Sequence, residues 1–87
     1  LYFEQPQRQR DEAIRTGSIG ATALIYAAHA LGLGSTPMIG FDAHAVTKEF
    51  SLSDNEIPVL LLSVGKALPE NWPQKPRRPV NEVLDFI

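Results

Sequence analysis

TGSIGATALIYAAHALGLGSTPMIGFD, residues 16–42, decides how this 87-residue chain reads. No charged side chain occurs between Thr16 and Phe41. The densest apolar part, Ile19 to Leu33, is shorter than the ~20 residues a membrane span needs, and it contains Thr22, His29 and several glycines. A packed helix is the better reading. It starts after Pro6, takes in the good helix formers of 10–15 and the Ala-rich 21–30, and runs to about Leu31. Gly17, Ala21, Leu24, Ala28 and Leu31 follow a 4-3-4-3 helical spacing, and most of that face is small enough for close approach. Gly17 and Gly20 each cost about 1 kcal/mol relative to Ala in a helix, which implies close packing where they stand. Gly32 or Gly34 supplies the stop.

Downstream, residues 34–42 form an apolar loop or short extended segment. Asp42 reads as the N-cap of a second helix, Ala43 to Phe50, with Phe41 and Val46 at the spacing of a hydrophobic staple. Ser53 and Glu56 have capping-box spacing for one further turn, which Pro58 keeps short. Ile57 to Val64 is a continuous apolar run bounded by Pro58 and Gly65, and reads as a strand buried on both faces. No second strand is evident, so its partners are expected outside these residues or in another chain. Pro69, Pro73, Pro76 and Pro79 make the tail from Lys66 extended and irregular. Its charges, Lys66, Lys75, Arg77 and Arg78 against Glu70, give a local net of +3. Val80 to Ile87 reads as a helical turn or a terminal strand.

Upstream, residues 1–15 are polar and mixed in charge. Leu1 opens the chain and no charged-then-apolar leader follows. The expectation is a chain without a signal peptide, beginning inside a longer protein. Hydrophobic content of 44% and charged content of 21% fit a globular domain. The net charge of −2 argues against a nucleic-acid binder. With no cysteine, a disulfide scaffold, thiolate metal site and thiol nucleophile are excluded, and a reducing, cytoplasmic setting is the expectation. A folded monomer of 9.6 kDa would expose about 5,100 Å², against about 13,900 Å² unfolded. Burial on that scale, roughly 130 kcal/mol, only matches the entropy cost of ordering the chain. The core is expected to be thin, and a partner chain, cofactor or further segment would help it.

Familiar motifs fail by single residues. Pro37 stands where a dinucleotide fingerprint beginning at Gly32 needs glycine, and Leu60 where a phosphate loop ending at Lys66 needs it. Ser18 lacks a nucleophile elbow. His29 and His44 lie fifteen residues apart without clustered carboxylates, so no metal site is expected. Asp54 and Glu56 read as a loop charge and a cap. Two segments remain. Residues 35–42 are a packed interhelix connection, or a loop whose Ile39 and Gly40 amides face a ligand. Lys75 and Arg77, two apart in an extended segment, are a solvated basic tail or a phosphate clamp.

Taken together, Thr16 to Leu33, then Ser35-Thr36-Pro37-Met38-Ile39-Gly40-Phe41-Asp42, then a strand ending in Val64-Gly65-Lys66, then a Pro-rich tail with Lys75 and Arg77, resemble the C-terminal half of the nitroreductase family of flavoproteins. The resemblance covers residues 8–86. It implies an α+β fold, with 1–87 as the C-terminal part of a single nitroreductase-like domain whose N-terminal half is absent. It further implies a homodimer with FMN at the interface. Hydride from NADH or NADPH would pass through the flavin to nitro compounds, quinones or similar small acceptors. Pro37, Met38, Ile39 and Gly40 would line the flavin ring, the Ile39 and Gly40 amides reaching its N5 and O4 edge, and Lys75 and Arg77 would hold the phosphate. Some members carry glutamate where Ile39 stands, which bears on substrate and coenzyme preference. No catalytic side chain is expected in this half. The competing reading is a non-catalytic module that dimerises through its small-residue helix without flavin.

Overall fold

The computed structural model describes residues 4–87; Leu1, where the sequence reading places the chain's start, lies outside the described residues. Helix α1 spans Pro6–Ala30. Pro6 at its first position needs no N–H partner and brings a helical φ. Inside the helix, the Ser18 hydroxyl donates to the Ile14 carbonyl and Thr22 to Ser18, each at 2.8 Å. Polar side chains are thereby satisfied without leaving the helix surface. The C-terminus closes with Gly32 at φ 77, Leu33 N–H on Ala28 O at 2.9 Å and Gly32 N–H on His29 O at 3.0 Å. This is a Schellman stop, and it selects Gly32 over Gly34.

Strand β1, Gly34–Met38, pairs antiparallel with strand β2, Leu61–Gly65. The register sets Gly34 opposite Gly65, Thr36 opposite Ser63 and Met38 opposite Leu61. The partner expected outside the chain thus lies within it, in the segment read as a loop. Pro37 hid it: proline donates nothing to a ladder and is tolerated only on an edge, and in a two-stranded sheet every strand is an edge. Nor is β2 buried on both faces. Leu61 and Leu62 are half-buried, while Ser63, Val64 and Gly65 are exposed.

Helix α2, Ala43–Glu49, begins as read: Asp42 accepts from the Ala45 N–H at 3.1 Å. Phe41 and Val46, the staple pair, are both half-buried. Phe50 caps the helix rather than extending it, and Ser51 follows at φ 53. Ser53 and Glu56 make one turn and no helix: Glu56 accepts from the Ser53 N–H at 3.1 Å, and Ser53 Oγ from the Asn55 N–H at 3.3 Å. A 3₁₀ turn, Val80–Glu82, sits near the end of the otherwise irregular tail.

α1 packs on β1. Its covered line is Asp11, Ile14, Ser18, Ala21, Ile25 and Ala28. The expected face is correct at Ala21 and Ala28 but wrong at Leu24 and Leu31, which are 61% and 77% exposed. Gly17 does meet a close neighbour: a Cβ there would lie 3.2 Å from Val59 Cγ2. Gly20 has open space beside it. Ala28 is the one buried apolar residue among those described, and the surface of 8,316 Å² far exceeds the roughly 5,100 Å² of a closed monomer of this mass. The radius of gyration, 16.8 Å, likewise exceeds the ~12 Å of a compact chain of this length. The elements are in place, but most of their apolar surface is uncovered. No helix among the described residues is long and apolar enough to cross a membrane.

Candidate functional site

β1 delivers its last two residues, Pro37 and Met38, to the edge of the sheet, and Asp42 fixes the start of α2 four residues later. Ile39 and Gly40 lie in the short connection between them. Both ends of that connection are pinned, one by strand pairing and the other by the cap, so its backbone is held although its side chains are open. Ile39 is 80% exposed and Met38 41%. The N–H groups of Ile39 and Gly40 have no partner among the described residues. A side chain at Gly40 would meet nothing within 4 Å. Two adjacent unpaired donors beside open space suit the polar edge of a planar ligand.

Lys75 and Arg77 lie in the extended tail, both exposed. Arg77 is not loose. With the Gln74 amide oriented to satisfy both groups, its oxygen accepts from Arg77 Nε at 2.9 Å and Nη2 at 2.8 Å. Arg78 faces elsewhere, its Nε donating to Glu82 Oε2 at 3.2 Å. The sequence reading missed Gln74, and an amide three residues before an arginine carries no recognisable pattern. Trp72, in the same stretch, is 93% exposed.

The antiparallel register places the amides and the start of the tail at opposite ends of the strand pair. Ile39 follows Met38 at one end, and Lys66 follows Gly65 at the other. Four residue steps separate these ends, about 14 Å. The nine steps from Lys66 to Lys75 can span up to ~30 Å, so the tail is long enough to bring its cations back along the sheet. Among the described residues, the main clefts lie elsewhere. One of about 370 Å³ at the Gly34 and Gly65 end is lined by Ser35, Thr36, Ser63, Lys66 and Asn71, and another of about 480 Å³ lies beside Ile25, Tyr26 and His29. Neither includes Pro37 to Gly40, Lys75 or Arg77. No group of three His, Asp or Glu side chains among the described residues could hold a metal.

Comparison with known proteins gives these elements a family. The model of the nitroreductase family matches residues 2–66. The Bacillus subtilis protein MhqN, by its name a candidate NAD(P)H nitroreductase, is 38% identical over 82 residues, covering 93% of this chain and 40% of that protein. YodC of the same organism, with a similar name, is 33% identical across 98% of this chain and 42% of its own length. A Streptomyces griseus relative, named as a candidate NADH dehydrogenase/NAD(P)H nitroreductase, is 32% identical across all of this chain and 44% of its own. In three dimensions, the crystal structure of a candidate nitroreductase, ydfN of Bacillus subtilis, superposes with a TM-score of 0.86 at 40% identity, over 93% of this chain and 40% of that one. The chain therefore spans less than half the length of these relatives. Its two helices and two-stranded sheet are an α+β piece of the nitroreductase fold, and the chain belongs to the nitroreductase family.

Proposed function

We propose that this chain forms the C-terminal part of an FMN-dependent NAD(P)H oxidoreductase of nitroreductase type. The observation that carries the reading is the pair of unpartnered amides at Ile39 and Gly40, held between β1 and the Asp42 cap and open to one side. The residues present fit the cofactor's chemistry. Lys75 and Arg77 supply charge-assisted donors of the kind a phosphate takes, and Met38 and Ile39 supply apolar surface beside the amides. The redox chemistry that bound FMN supplies is acceptance of a hydride from NAD(P)H and delivery of two electrons to a nitro compound, quinone or similar small acceptor. The chain's own part is to bind and orient: the Ile39 and Gly40 amides fix the polar edge of the ring, and the tail cations hold the phosphate.

The same reading makes the protein a homodimer with the cofactor at its interface. Its support is the uncovered surface. The excess over a closed monomer, roughly 3,200 Å², is of the size that obligate interfaces and completed cores bury.

The test is the double substitution Lys75→Ala with Arg77→Ala in the intact protein, followed by desalting and the absorbance spectrum of what remains bound. Loss of flavin with the fold retained is expected. Unchanged flavin content would overturn the phosphate role of the two cations, and an intact parent protein that carries no flavin would leave the non-catalytic assembly module as the better reading. The isolated 87 residues are expected to bind FMN weakly, since they span less than half of their relatives' length. A stoichiometric yellow complex of this chain alone would contradict that.

A further inference from the structure

We propose that Gln74 is a positioning residue for Arg77, holding its guanidinium so that the free N–H edge meets the anionic end of the ligand; this rests on the phosphate reading above. With its amide turned so that the oxygen rather than the NH2 faces Arg77, Gln74 Oε1 accepts from Nε and Nη2 of Arg77 at 2.9 and 2.8 Å. A guanidinium carries five N–H donors. Two are taken on the Gln74 side, and three remain: both on Nη1 and the second on Nη2. One of the Nη1 pair and the remaining Nη2 hydrogen lie side by side and match two oxygens of a phosphate.

The chemistry of the acceptor matters as much as its position. Gln74 is neutral, so it orients Arg77 without cancelling its charge. Arg78 next door is held by a carboxylate, Glu82 Oε2, at 3.2 Å. Among the described residues, one of the two adjacent arginines is oriented with no carboxylate beside it and the other is matched by Glu82. Pro73 and Pro76 bracket Gln74 and Lys75 and fix φ on either side, which restricts the tail in the geometry that lets Gln74 reach Arg77. Ordering a long arginine side chain before the ligand arrives lowers the entropy cost of binding it.

The experiment measures FMN and riboflavin affinities of the intact protein by equilibrium dialysis. Riboflavin lacks the phosphate and reports everything else in the site. Gln74 is exposed, so Gln74→Ala and Gln74→Glu should fold as the parent does. Gln74→Ala is expected to weaken FMN about threefold to tenfold, with riboflavin unchanged. Gln74→Glu keeps an acceptor for Arg77 but neutralises it, and should weaken FMN further than alanine does. A glutamate variant that binds FMN like the parent would overturn the proposal, because it would show that any acceptor suffices. Equal losses for FMN and riboflavin would overturn it too, by showing that Gln74 shapes the tail generally. Unchanged FMN binding in Gln74→Ala, with loss in Arg77→Ala, would defeat this inference alone. Retention of FMN by Arg77→Ala would defeat the phosphate reading beneath it.

Discussion

Gly17 on α1 and Val59 ahead of β2 approach so closely that a Cβ on the glycine would sit 3.2 Å from Val59 Cγ2. Gly20, one turn on, has nothing within 4 Å. The two glycines cost the helix the same and differ in what they permit. Gly20→Ala is expected to raise stability by about 1 kcal/mol. Gly17→Ala gains the same propensity but must displace Val59, and should come out near zero; Gly17→Leu should cost about 1–3 kcal/mol by overpacking. Thermal unfolding of the three variants checks the order.

Asp42 ties the start of α2 to the end of the Ile39–Gly40 connection. Asp42→Ala removes the bond to the Ala45 N–H and should cost about 1 kcal/mol, while Asp42→Asn retains most of it. If the two amides orient the flavin, the alanine variant should also release the cofactor faster than the asparagine variant. Denaturant unfolding and flavin off-rates measured on the same preparations separate the two effects.

Ser51 occupies the left-handed position after α2, with its N–H on Lys48 O and the Leu52 N–H on Thr47 O. Gly32 fills the equivalent place after α1. A side chain at φ 53 is strained where glycine is not. Ser51→Gly should therefore stabilise the protein by about 0.5–1 kcal/mol, read as a rise in Tm without change in cofactor content.

Ile39 presents an exposed apolar side chain next to the amides. Ile39→Glu leaves the backbone donors in place, so flavin content should be unchanged. The added carboxylate should lower kcat/KM for an anionic acceptor such as a nitrobenzoate about threefold to tenfold relative to neutral nitrobenzene, the effect of one like charge at contact distance. Parallel kinetics on the two acceptors gives the ratio directly.

The elements that were legible carry local punctuation. Pro6 and Gly32 bracket α1, and Asp42 opens α2. Each works through a backbone group that must be satisfied there, whatever packs around it. What misled the reading depends on tertiary neighbours. β1 contains Pro37 and the polar Ser35 and Thr36, so it shows neither alternation nor an apolar run, and only its pairing with 61–65 makes it a strand. The covered line of α1 is displaced from Leu24 and Leu31 because the helix packs on β1 and Val59, and on a helix this rich in alanine no sequence pattern marks the covered face. The site divides in the same way. Ile39, Gly40, Lys75 and Arg77 come from stretches that resemble a family, whereas the approach of the Gln74 amide to Arg77 emerges only in three dimensions.

Trp72 is the chain's one indole, and it stands bare to solvent three residues from Lys75 and five from Arg77. The tail therefore carries its own optical beacon. In these 87 residues its emission should be red and readily quenched by iodide, and if FMN binds beside the tail the emission should dim by energy transfer to the isoalloxazine. Fluorescence titration of Trp72 with FMN would report whether the ligand comes near the tail of this chain.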